Sequence, residues 1–164
     1  MLHLVIGPSC AGKSTYIAAC LRAQGLGPDH RMFAQAALTH GISRVHARLE
    51  RAGTLYLHLT ALAPPHLQPQ RRSLVVGLAA LSQPIDATLL LATGPELARR
   101  ARNRPSSEPL LTPDRPGPFD SERTAARLSG FDAPAFVAGW SAELGALGIP
   151  WQVIDTEAGG RSTA

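Results

Sequence analysis

The chain has 164 residues, 45% hydrophobic and 17% charged, with a formal net charge of +4, which is the make-up of one globular domain and leaves no need for a second. Only 5% of residues are aromatic and the arginines are not interleaved with stacking side chains, so the basic excess argues for phosphorylated small molecules as readily as for nucleic acid, and a nucleic-acid partner is not expected. No stretch reaches the ~18 apolar residues of a membrane span, so no membrane partner is expected.

In chain order, Leu2, Leu4, Val5 and Ile6 predict a buried strand, and the segment from Ser14 to Gln24 predicts a helix with Ile17, Leu21 and Gln24 at helical intervals. Between them runs Gly7-Pro8-Ser9-Cys10-Ala11-Gly12-Lys13-Ser14-Thr15, which matches G-x-x-x-x-G-K-[ST] at Gly7, Gly12, Lys13 and Ser14. Each position has a physical task. The glycines let the backbone curl so that successive N–H groups point at phosphate oxygens, Lys13 reaches the β- and γ-phosphates, and Ser14 holds Mg²⁺. The helix N-terminus adds its partial positive charge. Fifteen of the basic residues are arginine and one is lysine, and that lysine is Lys13. The nine residues from Gly7 to Thr15 are therefore the expected nucleotide-binding loop.

Gly25-Leu26-Gly27-Pro28 stops the first helix. His30–Ala34 is a short second strand, and Gly41–Gly53 an amphipathic helix with Ile42, Val45 and Leu49 on one face. Thr54–Thr60 reads as a strand turning into Pro64-Pro65, a helix follows from about Gln68 to Gln83, and Asp86–Thr93 is the clearest strand after the first. Pro95 opens a helix that runs to Arg104. Five prolines between Pro105 and Pro118 make that stretch a loop. Pro134–Gly148 is a helix, Pro150–Asp155 a last strand, and 158–164 a flexible tail. Alternating strands and helices over residues 1–157 predict an α/β fold, a parallel five-stranded sheet covered on both faces, with functional groups at the carboxyl ends of its strands.

On these motifs the chain resembles the P-loop small-molecule and nucleoside-monophosphate kinases, the group of shikimate, gluconate and adenylate kinases. The resemblance is specific from Gly7 to Thr15 and follows the rest in outline. It implies a three-layer P-loop NTPase fold with a short lid at about 99–122, ATP and Mg²⁺ as cofactors, and an ATP-dependent kinase acting on a small hydroxylated or phosphorylated metabolite. By the same likeness, Arg100 and Arg104 fold over the triphosphate and join Lys13 as catalytic residues. A solvated helix face is the alternative for that arginine cluster. The loop spelling also looks like that of guanylate kinases, with Cys10 where they carry glycine, but nothing beyond the loop follows them.

The chain departs from the kinase pattern at the end of its third strand, Leu57-His58-Leu59-Thr60, where many members carry a carboxylate. Asp29, taken as the catalytic substitute, and His58 are the two candidates. Asp155 has the form of an acidic residue after an apolar strand, but at the last strand it is placed beside the nucleotide base. Arg31, Arg44, Arg48, Arg71 and Arg72 are read first as solvated cations, with binding of an anionic acceptor as the alternative. An Asn-Lys-x-Asp guanine reader is ruled out because the one lysine is already used, and Leu128-Ser129-Gly130 lacks the company a transporter-ATPase signature needs. An ATP-binding or ATP-hydrolysing regulatory module without phosphate transfer is the rival class. Cys10 and Cys20 have neither metal nor disulfide spacing, and the N-terminal apolar run is too short for a signal peptide. The expectation is a cytoplasmic monomer or homodimer.

Overall fold

The computed structural model describes residues 1–104, 120–157 and the backbone of 162–163. The strands are β1 Leu2–Gly7, β2 Arg31–Phe33, β3 Leu55–Thr60, β4 Ile85–Leu91, β5 Trp151–Asp155 and β6 Ser162–Thr163. The helices are α1 Lys13–Ala23, α2 Ala34–His40, α3 Ile42–Ala52, α4 Pro69–Ala79, α5 Gly94–Arg102, α6 Ser121–Ser129 and α7 Ala133–Ala146. One sheet forms in the order β2-β3-β1-β4-β5-β6. Its first five strands are all parallel, as the alternating pattern requires, and β6 adds two antiparallel residues against β5. Of the tail at 158–164, that pairing is the only part among the described residues.

β1 lies in the middle because it is buried on both faces, and its near-continuous apolar run reflects this. Leu2, Leu4 and Ile6 meet Leu57, Leu59 and Leu89 in a core covered by Val45 and Leu49 of α3, Leu74 and Leu78 of α4, and Phe136 and Trp140 of α7. Val5 and Leu90 face the other way, under Ile17 and Leu21 of α1, Leu97 and Ala101 of α5, and Leu128 of α6. The helices after β1 and β3 therefore pack on opposite faces, although Gly7 and Thr60 are direct register partners. That divergence opens a crevice at the carboxyl ends of β1 and β3, the place where open parallel sheets hold ligands.

Caps fix the helix starts on the β1–α1 face and beyond. Thr93, Asp120 and Asp132 accept bonds from the backbone N–H groups of Glu96, Arg123 and Ala135 at the starts of α5, α6 and α7. Helix α6 was not read from the sequence, and neither was α2. Of the lid expected at 99–122, residues 105–119 lie outside the described residues. Its two described ends are helical: Arg99–Arg102 close α5 and Ser121 opens α6. A Cβ on Gly94 would lie 2.5 Å from Ser129 O, so α5 and α6 meet at a glycine contact. No helix among the described residues is long and apolar enough to cross a membrane.

Candidate functional site

The glycine loop leaves the carboxyl end of β1 and enters α1, as expected from the motif. Gly7 is required by space: a Cβ there would lie 2.4 Å from Leu90 O on the neighbouring strand. Gly12 is required by conformation, with φ +84° immediately before the first residue of α1. Cys10 also lies in the left-handed region, at φ +64°, and is the single described non-glycine residue to do so. Pro8 and Ala11 are buried, Ser9 and Cys10 are half-buried, and Ala11 N donates to Pro8 O at 3.4 Å. Thr15 is exposed on the first turn of α1.

Lys13 is 3% exposed, and its Nζ donates to Gly7 O at 2.9 Å and to Pro8 O. Burial lowers its ammonium from the ordinary lysine range to about 7, with a smaller opposing pull from Cys10. No ion-pair carboxylate serves it among the described residues. A buried cation held only by carbonyls of the same curled loop, at a helix N-terminus, is arranged to receive an anion.

Ser14 Oγ accepts from a guanidinium N–H of Arg31 at 3.2 Å. No group of three His, Cys, Asp or Glu residues able to hold a metal ion exists among the described residues. Mg²⁺ commonly takes one or two protein oxygens and completes its shell with phosphates and water. The lone Ser14 hydroxyl thus fits a Mg²⁺ that arrives with a nucleotide, and does not fit a metal held by protein alone.

The remaining sequence-derived residues fall into two groups. Asp155 ends β5 at the correct edge of the sheet, two strands from β1, but its Oδ1 accepts from Glu157 N at 2.8 Å within its own turn. Arg100 reaches the loop, with a terminal nitrogen 3.5 Å from Cys10 O, yet its other donors go to Glu96 at 2.6 Å and to Thr156 Oγ1 and O at 2.8 and 3.1 Å. Arg99 makes a bidentate pair with the same Glu96, and the two arginines hold that carboxyl down at about 2. Arg104 follows the C-cap of α5, half-buried, with its backbone N bonded to Ala101 O at 3.3 Å.

Asp29 is not brought to the site. It precedes β2, whose start pairs with the start of β3, and its neighbour His30 bonds Thr54 O at 2.9 Å. That level lies six residues before Thr60, roughly 20 Å along the strand from the glycine loop at ~3.3 Å per residue. The Asp29 side chain is 97% exposed, and its ion-pair contact is Arg48 at 3.5 Å. Proximity in sequence to β2 did not say which end of the strand the residue precedes.

His58 is brought to the site. It faces an open pocket lined by Phe33, Gln35, Leu38, Thr60 and Arg71 at the carboxyl ends of β2 and β3. Burial first, then the Lys13 and Arg31 cations, push its imidazole down to about 3. It is neutral at pH 7 and too weak a base to take a proton from an alcohol. Two residues read as solvated also bear on this pocket: Arg71 lines it, and Arg31 stands against the Phe33 ring that does. Arg71 donates its Nε–H to Thr60 O, and the Arg31 guanidinium lies 4.6 Å from the Phe33 ring centroid. The available sequence signal was position: Arg31 opens a strand adjacent to β3, and Arg71 lies on the first turn of the helix that follows β3.

No family model matches the chain, and no curated protein matches it significantly in sequence. What the fold and the site define is a class: an α/β protein with a five-stranded parallel sheet, helices on both faces and a glycine loop at the carboxyl end of the middle strand.

Proposed function

We propose that the chain has a P-loop NTPase fold and is an ATP-dependent kinase acting on a small hydroxylated or phosphorylated metabolite. The observation that carries this reading is Lys13, a buried cation bonded among the described residues to loop carbonyls at the N-terminus of α1, beside a pocket at the carboxyl ends of β2 and β3. The loop N–H groups and Lys13 bind and orient the phosphates, and Ser14 holds the Mg²⁺ that the nucleotide brings. Bound Mg²⁺ supplies neutralisation of phosphate charge. The crevice orients the acceptor toward the loop, which supplies the positional part of the rate enhancement.

A binding or hydrolytic ATP module is the second reading, favoured by one observation: among the described residues no carboxylate lines the pocket at the ends of β2 and β3. ATP turnover measured with and without a panel of acceptors separates the two. A kinase shows little hydrolysis alone and acceptor-dependent transfer, an ATPase ignores the acceptor, and a binding module does neither.

A further inference from the structure

The pocket beside the glycine loop has an unusual charge balance. Arg31 and Arg71 are both half-buried, and neither has an ion-pair partner among the described residues. Arg31 Nε is buried and without a hydrogen-bond partner. Its remaining contacts are the Ser14 hydroxyl and the Phe33 ring, and Arg71 is held by Thr60 O; all of these are neutral. Other arginines in the same fold are treated differently, since Arg48, Arg72, Arg99, Arg100 and Arg102 each pair with an aspartate or glutamate. A cation taken partly out of water costs free energy unless it meets an anion, and the most effective partner for a guanidinium is a planar or tetrahedral oxyanion. The pocket walls supply none. They supply apolar surface instead, from Phe33, Ala34, Leu38 and Leu59, with Gln35, His58 and Thr60 as neutral hydrogen-bonding groups.

We propose that this pocket takes the second substrate by an oxyanion, a phosphate or a carboxylate attached to a small apolar or ring-shaped body, held by Arg71 in its wall and by Arg31, which stands against the Phe33 ring that lines it. The inference rests on the kinase reading for the word substrate, and on the pocket alone for the ligand class. An oxyanion acceptor also removes the need for a base. Transfer onto it forms one P–O bond at the acceptor oxygen and breaks the bond between the γ-phosphorus and the bridging oxygen of ATP, with the electron pair leaving on ADP and no proton to be removed. A hydroxyl acceptor would have to lose a proton in a pocket that no carboxylate lines among the described residues and whose histidine is a weak base.

The test is calorimetric titration of the full chain with phenyl phosphate, with benzoate and with benzyl alcohol, the last being the uncharged control. At least one of the two anions should bind saturably, at least tenfold more tightly than benzyl alcohol, and which one does separates phosphate from carboxylate. Arg31→Gln and Arg71→Gln should each weaken that binding at least tenfold, and Arg71→Lys should restore part of it. Lys13→Ala should retain it within about fivefold. In the parent chain the Arg31 Nε–H resonance should shift on titration, a readout that needs no variant to fold. Equal binding of benzyl alcohol, anion binding that survives both arginine substitutions, an unshifted Arg31 resonance, or loss in Lys13→Ala alone would each overturn the proposal, the last by locating the anion in the glycine loop. Arginine-dependent anion binding without phosphate transfer from ATP would overturn the kinase reading and leave the pocket standing. Transfer to benzyl alcohol in preference to either anion would do the reverse.

Discussion

The two flanks of the glycine loop carry similar numbers of arginines and opposite electrostatics. On the α5 flank Arg99, Arg100 and Arg102 are matched to Glu96 and Glu122, and Arg100 also ties the turn after β5 to Cys10 O. On the β3 flank Arg31, Arg71 and Lys13 have no ion-pair carboxylate among the described residues, and burial first, then the Lys13 and Arg31 cations, depress the pKa of His58. Matched charges are a means of fastening elements together. Unmatched, half-buried charges cost stability in the empty protein and are explained by a ligand.

The largest effect belongs to the residue between the flanks. Lys13→Ala should reduce phosphate transfer below detection and weaken ATP binding, because the ammonium meets charge at the phosphates. Steady-state turnover together with ATP titration checks this, and turnover within threefold of the parent would break the assignment. A second pair of substitutions sharpens the contrast itself. Arg100→Ala removes charge-assisted bonds to Glu96 and Thr156 and should cost about 2 kcal/mol in denaturant unfolding. Arg31→Met removes an unmatched cation and should leave the empty protein as stable as the parent or more so. If Arg31→Met destabilises as much as Arg100→Ala, the two flanks do not differ in the way described.

Much of the frame was legible in the sequence, and the reasons are particular. β1, α1, α3, β3, β4, α5, α7 and β5 each carry a long apolar run, a helical apolar spacing or a Pro or Gly boundary, and all appear within a few residues of their expected bounds. α2 and α6 were not visible because they bury mostly alanine: Ala34 and Ala37 in one, Ala125 with Leu128 in the other. Alanine favours a helix but gives little periodic contrast. The glycine loop was legible because its function is performed by backbone shape and one lysine. The neighbouring pocket was not, since an arginine reads the same in sequence whether a glutamate stands beside it or not. Thus the cluster that stood out, at 99–104, contains paired arginines, whereas Arg71 lines the pocket from α4 and Arg31 stands against its Phe33 from β2.

The field on the β3 flank has a pH signature. The folded-state value of His58, about 3, lies below its unfolded value of 6.5, so between those limits the unfolded chain binds more protons. Stability from this site is therefore complete above pH 6.5 and falls as pH drops toward 3, by on the order of 4 kcal/mol. His58→Gln should lack that component, so the parent-minus-variant difference in unfolding free energy should fall along this slope. A flat difference from pH 7 to 3.5 would show that neither burial nor the Lys13 and Arg31 cations hold His58 neutral in the folded chain.

The smallest effect expected lies within the loop, at Cys10. Its φ of +64° places a non-glycine residue in the left-handed region, where the Cβ crowds the following carbonyl at a cost of roughly 1–2 kcal/mol. Glycine adopts that conformation without the clash but loses more backbone entropy on folding, which offsets part of the gain. Cys10→Gly should therefore raise stability by less than about 1 kcal/mol and leave the loop shape intact, because Gly7 is still fixed by Leu90 O and Gly12 still turns the chain into α1. Phosphate transfer should remain within about threefold of the parent, since the loop offers its ligand a backbone N–H at this position and the thiol is not needed for it. Loss of transfer in a folded Cys10→Gly protein would assign the thiol itself a role at the phosphates. The variant also tests how the α5 flank is fastened, for Arg100 bonds the backbone oxygen of Cys10 and not its sulfur: the additional cost of Arg100→Ala should be the same in the glycine background as in the parent.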